Sequence, residues 1–162
     1  MKRAAGAALD IDVLVESERW KAEPEAELTV RRAVAEAAAA MSTKQAELAI
    51  VLTNDSAIRQ LNREWRGIDA ATNVLSFPTK DAGGEQRLLG DIVLAYETIA
   101  REARAEGKLF THHLAHLAVH GFLHLLGYDH ERDKEAEAME RLECRILARL
   151  AIQDPYRHAA RG

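Results

Sequence analysis

The chain has 162 residues, 48% hydrophobic and 30% charged, with a formal net charge of −4 at pH 7. A chain of this length buries roughly two-thirds of its extended surface, which suits one domain with its own core and leaves no room for two. The apolar fraction excludes disorder, the absence of a long uncharged apolar run argues against a membrane span, and a pI near 6.0 argues against binding nucleic acid through mean charge. Cys144 is the single cysteine, so a disulfide within the chain and a cysteine-based metal site are both impossible. Lys2 and Arg3 are followed by small residues rather than an apolar stretch, so no secretory signal is read and the expected compartment is the cytoplasm. We expect one domain over 1–162 with short flexible ends at about 1–8 and 157–162.

The elements follow in chain order. Leu9 to Val15 alternates and predicts a strand with one wet face. Pro24 and Glu25 open an Ala-rich helix to Met41, with Leu28, Val34 or Arg31, Ala38 and Met41 as its buried stripe. Leu48 to Thr53 reads as a buried strand. Asn54 then stands as N-cap of a helix whose apolar face is Ile58, Leu61 and Trp65, ended by Gly67. Thr72 to Phe77 predicts a third strand, stopped by Pro78, and Lys80 to Arg87 a loop or hairpin connection. Leu88 to Tyr96 predicts a fourth strand in which Gly90 marks a bulge or a close backbone approach. A helix from Glu97 to Glu106 ends at Gly107. Thr111 is the expected cap of the next, His112 to Leu126, which is apolar nearly all round and so belongs at the centre. The last helix, Lys134 to Leu150, sets Met139, Leu142, Ile146 and Leu150 on one face and near-balanced charge on a face read as solvated, with Cys144 as a packing residue. Together these predict an α+β fold, one mixed sheet of about four strands packed by about five helices.

Six of the seven histidines lie between His112 and His130. His120 and His124 are four apart on the central helix, so their rings leave one face about 6 Å apart, the bite a Zn²⁺ ion needs from two imidazoles. A glycine in the left-handed conformation at Gly127 would end the helix and let His130 close a third position. Three imidazoles leave the fourth tetrahedral position open, as in catalytic rather than structural zinc sites. His116, one turn before His120, is either an alternative to His130 or a wall behind the ligands. His112 and His113 read as solvated or substrate-side groups, and His158 as a tail residue. The zinc-peptidase pattern H-E-x-x-H needs a Glu directly after the first His; Gly121 stands there, which disfavours peptide hydrolysis.

The eleven residues His120 to His130, HGFLHLLGYDH, resemble the signature of the YbeY family of bacterial endoribonucleases, which are rRNA maturation factors. Leu61-Asn62 with Trp65-Arg66, then Thr72 to Pro78, Leu89 to Ile92, Met139 to Leu147, and Asp154-Pro155-Tyr156 resemble further blocks of the family in order and spacing, so the likeness spans Leu9 to Tyr156. Asn73 departs from it, standing where the family block usually has Asp. The resemblance implies a metal-dependent, single-strand-directed endoribonuclease acting in 16S rRNA 3′-end maturation and ribosome quality control. Its metal ligands would be His120, His124 and His130, holding one Zn²⁺ per chain, and its catalytic arginine Arg66. Its partners would be rRNA and the small ribosomal subunit, with no DNA and no membrane. The oligomeric state stays open, with a monomer favoured.

The chemistry suits that role. A metal can polarise a phosphoryl oxygen, and Arg66 can hold the phosphate and offset developing charge. Arg59, Arg63, Lys80 and Lys108 are candidates for a local basic cleft. Ser76 and Phe77 can line it, Phe77 either stacking a base or packing in the core. Asp129 can orient a ligating histidine or cap a turn. No residue stands out as general base. Two other classes compete: a ribosome assembly or binding factor with a mainly structural zinc, and a zinc hydrolase of a non-RNA substrate.

Overall fold

Alternating apolar residues make Leu9–Val15 the first strand, β1, and branched residues make Ala46–Thr53 the second, β2, paired parallel from Leu9↔Ala46 to Val15↔Leu52. The computed structural model describes residues 9–79, 87–129 and 132–156. The helix α1, Ala26–Ala40, joins the two strands. Before it, a short 3-10 turn at Glu18–Ala22 buries Trp20, whose indole donates to the Thr53 carbonyl at 2.8 Å. Strands β3, Val74–Pro78, and β4, Arg87–Ala95, are antiparallel, and β4 runs parallel to β2. The sheet order is β1-β2-β4-β3, which leaves β3 at an edge. The antiparallel register of β3 and β4 runs from Val74↔Leu94 to Pro78↔Gly90; residues 80–86, where a loop or hairpin connection is expected, lie outside the described residues.

Gly90 fills both roles expected of it. The register shifts beside it, and its φ is +134°, with the Phe77 carbonyl oxygen 2.2 Å from where a Cβ would stand. Any side chain there would part β3 from β4.

Four further helices complete the described chain: α2, Asp55–Arg66; α3, Tyr96–Glu106; α4, Phe110–Leu125; and α5, Asp133–Arg149. The Asn54 side chain caps α2 by accepting from the Ala57 N–H at 2.8 Å. One sheet face carries the main core, with α4 packed on β3 and β4 and flanked by α1, α3 and α5. Alanines at 33, 37 and 38 of α1 are buried in that core, where small side chains let helices approach closely. The opposite face is covered by α2 through Ile58, against Leu75, Val93 and Ala95. An α+β fold with four strands in a mixed sheet and five α-helices is thus observed.

Three local expectations are corrected. Leu28 is 49% exposed, because α1 turns its Ala26–Val30–Ala33–Ala37 side inward. Thr111 is not a cap: α4 starts at Phe110, and its N-cap, Leu109, makes no side-chain capping bond. Trp65 is 71% exposed, because its indole, at the end of α2, packs edge-on against Phe77 at the sheet edge, while Asn62 points inward and holds the Ala70 carbonyl at 2.9 Å.

Candidate metal centre

Helix α4 carries a row of histidines on one side. His113, His116, His120 and His124 follow one another at ring-centroid distances of 6.3, 6.4 and 4.5 Å. The row follows from spacings of three and four residues, which return a side chain to the same helical face. The Nε2 atoms of His120 and His124 lie 3.0 Å apart. Two imidazole nitrogens bound to one tetrahedral zinc are separated by about 3.3 Å, so the pair is already within reach of a shared cation.

The rest of the row is anchored by acids from neighbouring helices. Glu143 of α5 is completely buried and accepts from His116 Nε2 at 2.9 Å and from His120 Nδ1 at 2.6 Å. The Tyr156 hydroxyl donates to the same carboxylate. Burial alone would raise the Glu143 pKa, but the hydrogen bonds from His116 and His120 outweigh it and hold the carboxyl at about 2. The Tyr156 hydroxyl is pushed the other way, up, by its own burial and by its bond to Glu143. A carboxylate can only accept, so His120 carries its proton on Nδ1 and in its neutral form presents a lone pair on Nε2, towards His124. That donor set fits an imidazole-bound metal.

The helix exit behaves as the glycine requires. Gly127 has φ +102°; its N–H donates to the His124 carbonyl at 3.0 Å and that of Tyr128 to the Leu123 carbonyl at 3.1 Å. This is the paired closure of a helix ended by a left-handed residue. The turn leads on to Asp129, which is exposed; His130 lies outside the described residues. Among the described residues no group of three metal-binding side chains is assembled.

Gly121 shows why no acid follows His120. A Cβ there would stand 2.8 Å from Ile92 Cγ2 and 3.2 Å from Ser76 Oγ, so the position faces the sheet, where a Glu has no room. Ser76 instead donates its hydroxyl to the Gly121 carbonyl at 2.9 Å. Arg66, last residue of α2, donates to the Ser76 carbonyl at 2.8 Å, and its guanidinium carbon lies 5.7 Å from the Phe77 ring centre. Ser76 therefore links the exposed Arg66 to the histidine helix.

The chain is similar to known proteins over most of its length. A family model described as Endoribonuclease YbeY matches residues 13–151. The chain belongs to the YbeY family. It is 58% identical over 153 residues to an Endoribonuclease YbeY of Rhodopseudomonas palustris (strain BisB18), with 90% of each chain covered. It is 56% identical over 153 residues to one of Bradyrhizobium diazoefficiens, covering 90% of this chain and 84% of that one. A solution structure of TM1509 from Thermotoga maritima shares the fold, with a TM-score of 0.53 at 24% identity over 91% of this chain and 99% of that one. The expected enzyme class, an RNA-cleaving hydrolase, is that of the YbeY family.

Several expectations change in this YbeY chain. His113 is not a solvated group: it is buried, and its Nε2 lies 2.8 Å from Glu102 of α3. His116 stands behind His120, its Nε2 engaged by Glu143 and by Tyr156 at 3.2 Å. Asn73 donates to Glu102 Oε1 at 3.0 Å, the oxygen His113 also meets. It therefore belongs with His113, about two helical turns before His120, and its amide supplies a donor where an Asp would face a second carboxylate. Of the basic-cleft candidates, Arg59 is paired with Asp69 at 2.8 Å, and Lys108 with Glu106 at 2.9 Å and the Pro155 carbonyl at 3.2 Å. Arg63 is exposed, while Lys80 and His158 lie outside the described residues. Phe77 is half-buried, packed against the small core under α2.

Glu143 and Tyr156 carry the site's internal support, and neither was singled out from sequence. The signal was present in Glu143. It lies four residues after Met139 and three before Ile146, on the apolar stripe of α5, where a lone acid requires a buried partner.

Proposed function

We propose that this chain is a metal-dependent endoribonuclease that cuts single-stranded RNA during 16S rRNA 3′-end maturation and ribosome quality control, in the cytoplasm. The observation that carries the reading is the His120–His124 pair, with Nε2 atoms 3.0 Å apart and the far nitrogen of His120 fixed by buried Glu143. His120 and His124 would hold the metal, with His130 as third ligand after the Gly127 turn. Zinc fits three imidazoles, as do other first-row divalent ions. Bound there, the metal supplies Lewis-acid stabilisation of a phosphoryl oxygen.

The chain's own groups prepare that chemistry. Glu143 holds the proton on His120 Nδ1, so that Nε2 is the donor atom. Arg66 spends one of its five N–H donors on Ser76, which leaves the rest of its fork for a phosphate of the bound strand. With Gly121 against the sheet, that position supplies no general base, and the nucleophile would be water or the RNA's own 2′-hydroxyl. No described helix is long and apolar enough to cross a membrane, and rRNA in the small ribosomal subunit is the proposed partner.

The test is cleavage of an end-labelled 16S 3′-precursor by purified protein, beside a chelator lane and a His124→Ala lane. Cleavage lost in both control lanes supports the reading. Cleavage that survives both overturns the site assignment. No cleavage even with added metal and ribosomes favours an assembly factor with a structural metal, and turnover of ester probes with intact RNA favours a hydrolase of another substrate.

A further inference from the structure

Two tryptophans sit in opposite settings. Trp20 is 3% exposed and its indole N–H is bonded inside the core. Trp65 is 71% exposed at the end of α2. A residue of this size contributes little to a core from such a position, whereas tryptophan is enriched where proteins meet their partners. Among the described residues its ring contact is with Phe77, at 6.3 Å and 65°, an edge-to-face arrangement in which a neighbouring ring braces the indole. Arg66, the next residue, lies over the same Phe77 ring at 5.7 Å and is held to the Ser76 carbonyl. Ser76 in turn is bonded to Gly121, the neighbour of His120.

We propose that Trp65, braced by Phe77, is the stacking seat for an unpaired nucleobase of single-stranded RNA, and that Arg66 takes the adjoining phosphate. The inference rests on the RNA-cleaving reading and adds where the strand is gripped. Three features favour RNA as the occupant. A flat indole face is a surface on which any base can stack. Cationic Arg66 and Arg63 flank it in the last turn of α2, with Glu64 the only acid between them, while Arg59 is spent on Asp69. The brace, Phe77, lies on the edge strand next to Ser76, which turns to the other sheet face and meets Gly121, so a strand leaving the seat need only cross the edge of β3 to reach the histidine helix. A base inside a duplex has both faces stacked already, so the seat selects unpaired RNA.

The test uses the full chain and a fluorescein-labelled, unstructured oligoribonucleotide, with binding read by anisotropy in the presence of chelator, so that cleavage and metal play no part. Trp65→Ala should weaken binding about 5- to 150-fold, the range for loss of one base–aromatic stack. Trp65→Phe should restore most of it, Trp65→Leu should not, and a duplex of the same length should show no difference among the four proteins. Melting temperatures of the variants should match the parent, since an exposed side chain is changed. Equal affinity for the Ala variant overturns the proposal. So does full rescue by Leu, which would mean apolar cover of the kind a protein partner provides. If the parent cleaves the precursor but shows no Trp65 effect on binding, the seat alone fails; if Trp65 governs binding but no cleavage occurs, the catalytic reading alone fails.

Discussion

Replacing Glu143 with Gln would test whether this carboxylate sets the chemistry of His120. The acid accepts three hydrogen bonds, from His116 Nε2, His120 Nδ1 and the Tyr156 hydroxyl. An amide of the same shape has one oxygen to accept with and an N–H₂ that can only donate. If the oxygen keeps the two donors on its Oε1 side, the N–H₂ faces His120 Nδ1 at a site where 2.6 Å now separates donor from acceptor. His120 must then move its proton to Nε2, which removes the lone pair aimed at His124. Bonds to a charged group are worth roughly 1 kcal/mol more than neutral ones, so three weakened bonds, partly offset by not burying a charge, give a loss of about 1–3 kcal/mol. For a chain of this size that is about 2–4 °C of melting temperature per kcal/mol. Zinc affinity should fall about 10- to 100-fold, as for other groups that orient a ligating histidine. Ring-nitrogen NMR on histidine-labelled, metal-free protein would read the tautomer, and competition with a chromophoric chelator would read the affinity. An unchanged His120 tautomer together with zinc affinity within two-fold of the parent would refute the reasoning.

Other substitutions probe the same frame. Gly121→Ala should destabilise the chain by about 1–3 kcal/mol in urea unfolding, because its Cβ would stand 2.8 Å from Ile92 Cγ2; a gain of about 1 kcal/mol, as for an uncrowded helical glycine, would show that α4 has room against the sheet. Asn73→Asp should lose about 1 kcal/mol at neutral pH, because a second carboxylate would face Glu102 at 3.0 Å across a partly exposed contact. Such a pair stabilises its protonated form, so the deficit should shrink in acid and grow as pH rises; melting curves showing no pH dependence of the difference would count against it. Burial and the hydrogen bond to Asp154 push the Cys144 thiol up to about 12, so its thiolate fraction, and with it alkylation by iodoacetamide at pH 8, should be on the order of 10³-fold below that of a free thiol. A pH–rate midpoint near the ordinary thiol value would contradict that.

Much of the scaffold can be read locally. The ends of β1, the Asn54 cap, the strain at Gly90 and the Gly127 exit are each written in residues whose conformational preferences act within a few positions. The His120–His124 pair is equally local, since four residues of helix bring two side chains together whatever surrounds them. The eleven-residue signature made the family recognisable for the same reason.

What the sequence could not set was the far partner of each side chain. Glu143 lies 23 residues from His120 and meets it only because α5 packs across α4. Asn73 and His113 find each other through Glu102 because α3 returns along the same helix. Trp65 has the spacing of a core residue, yet it stands exposed because β3 is an edge strand and, among the described residues, no further strand lies beneath it. Periodicity determines which face of a helix is apolar. Only the order of strands and the packing of helices decide what that face meets, because those contacts join residues whose separation along the chain carries no local signal.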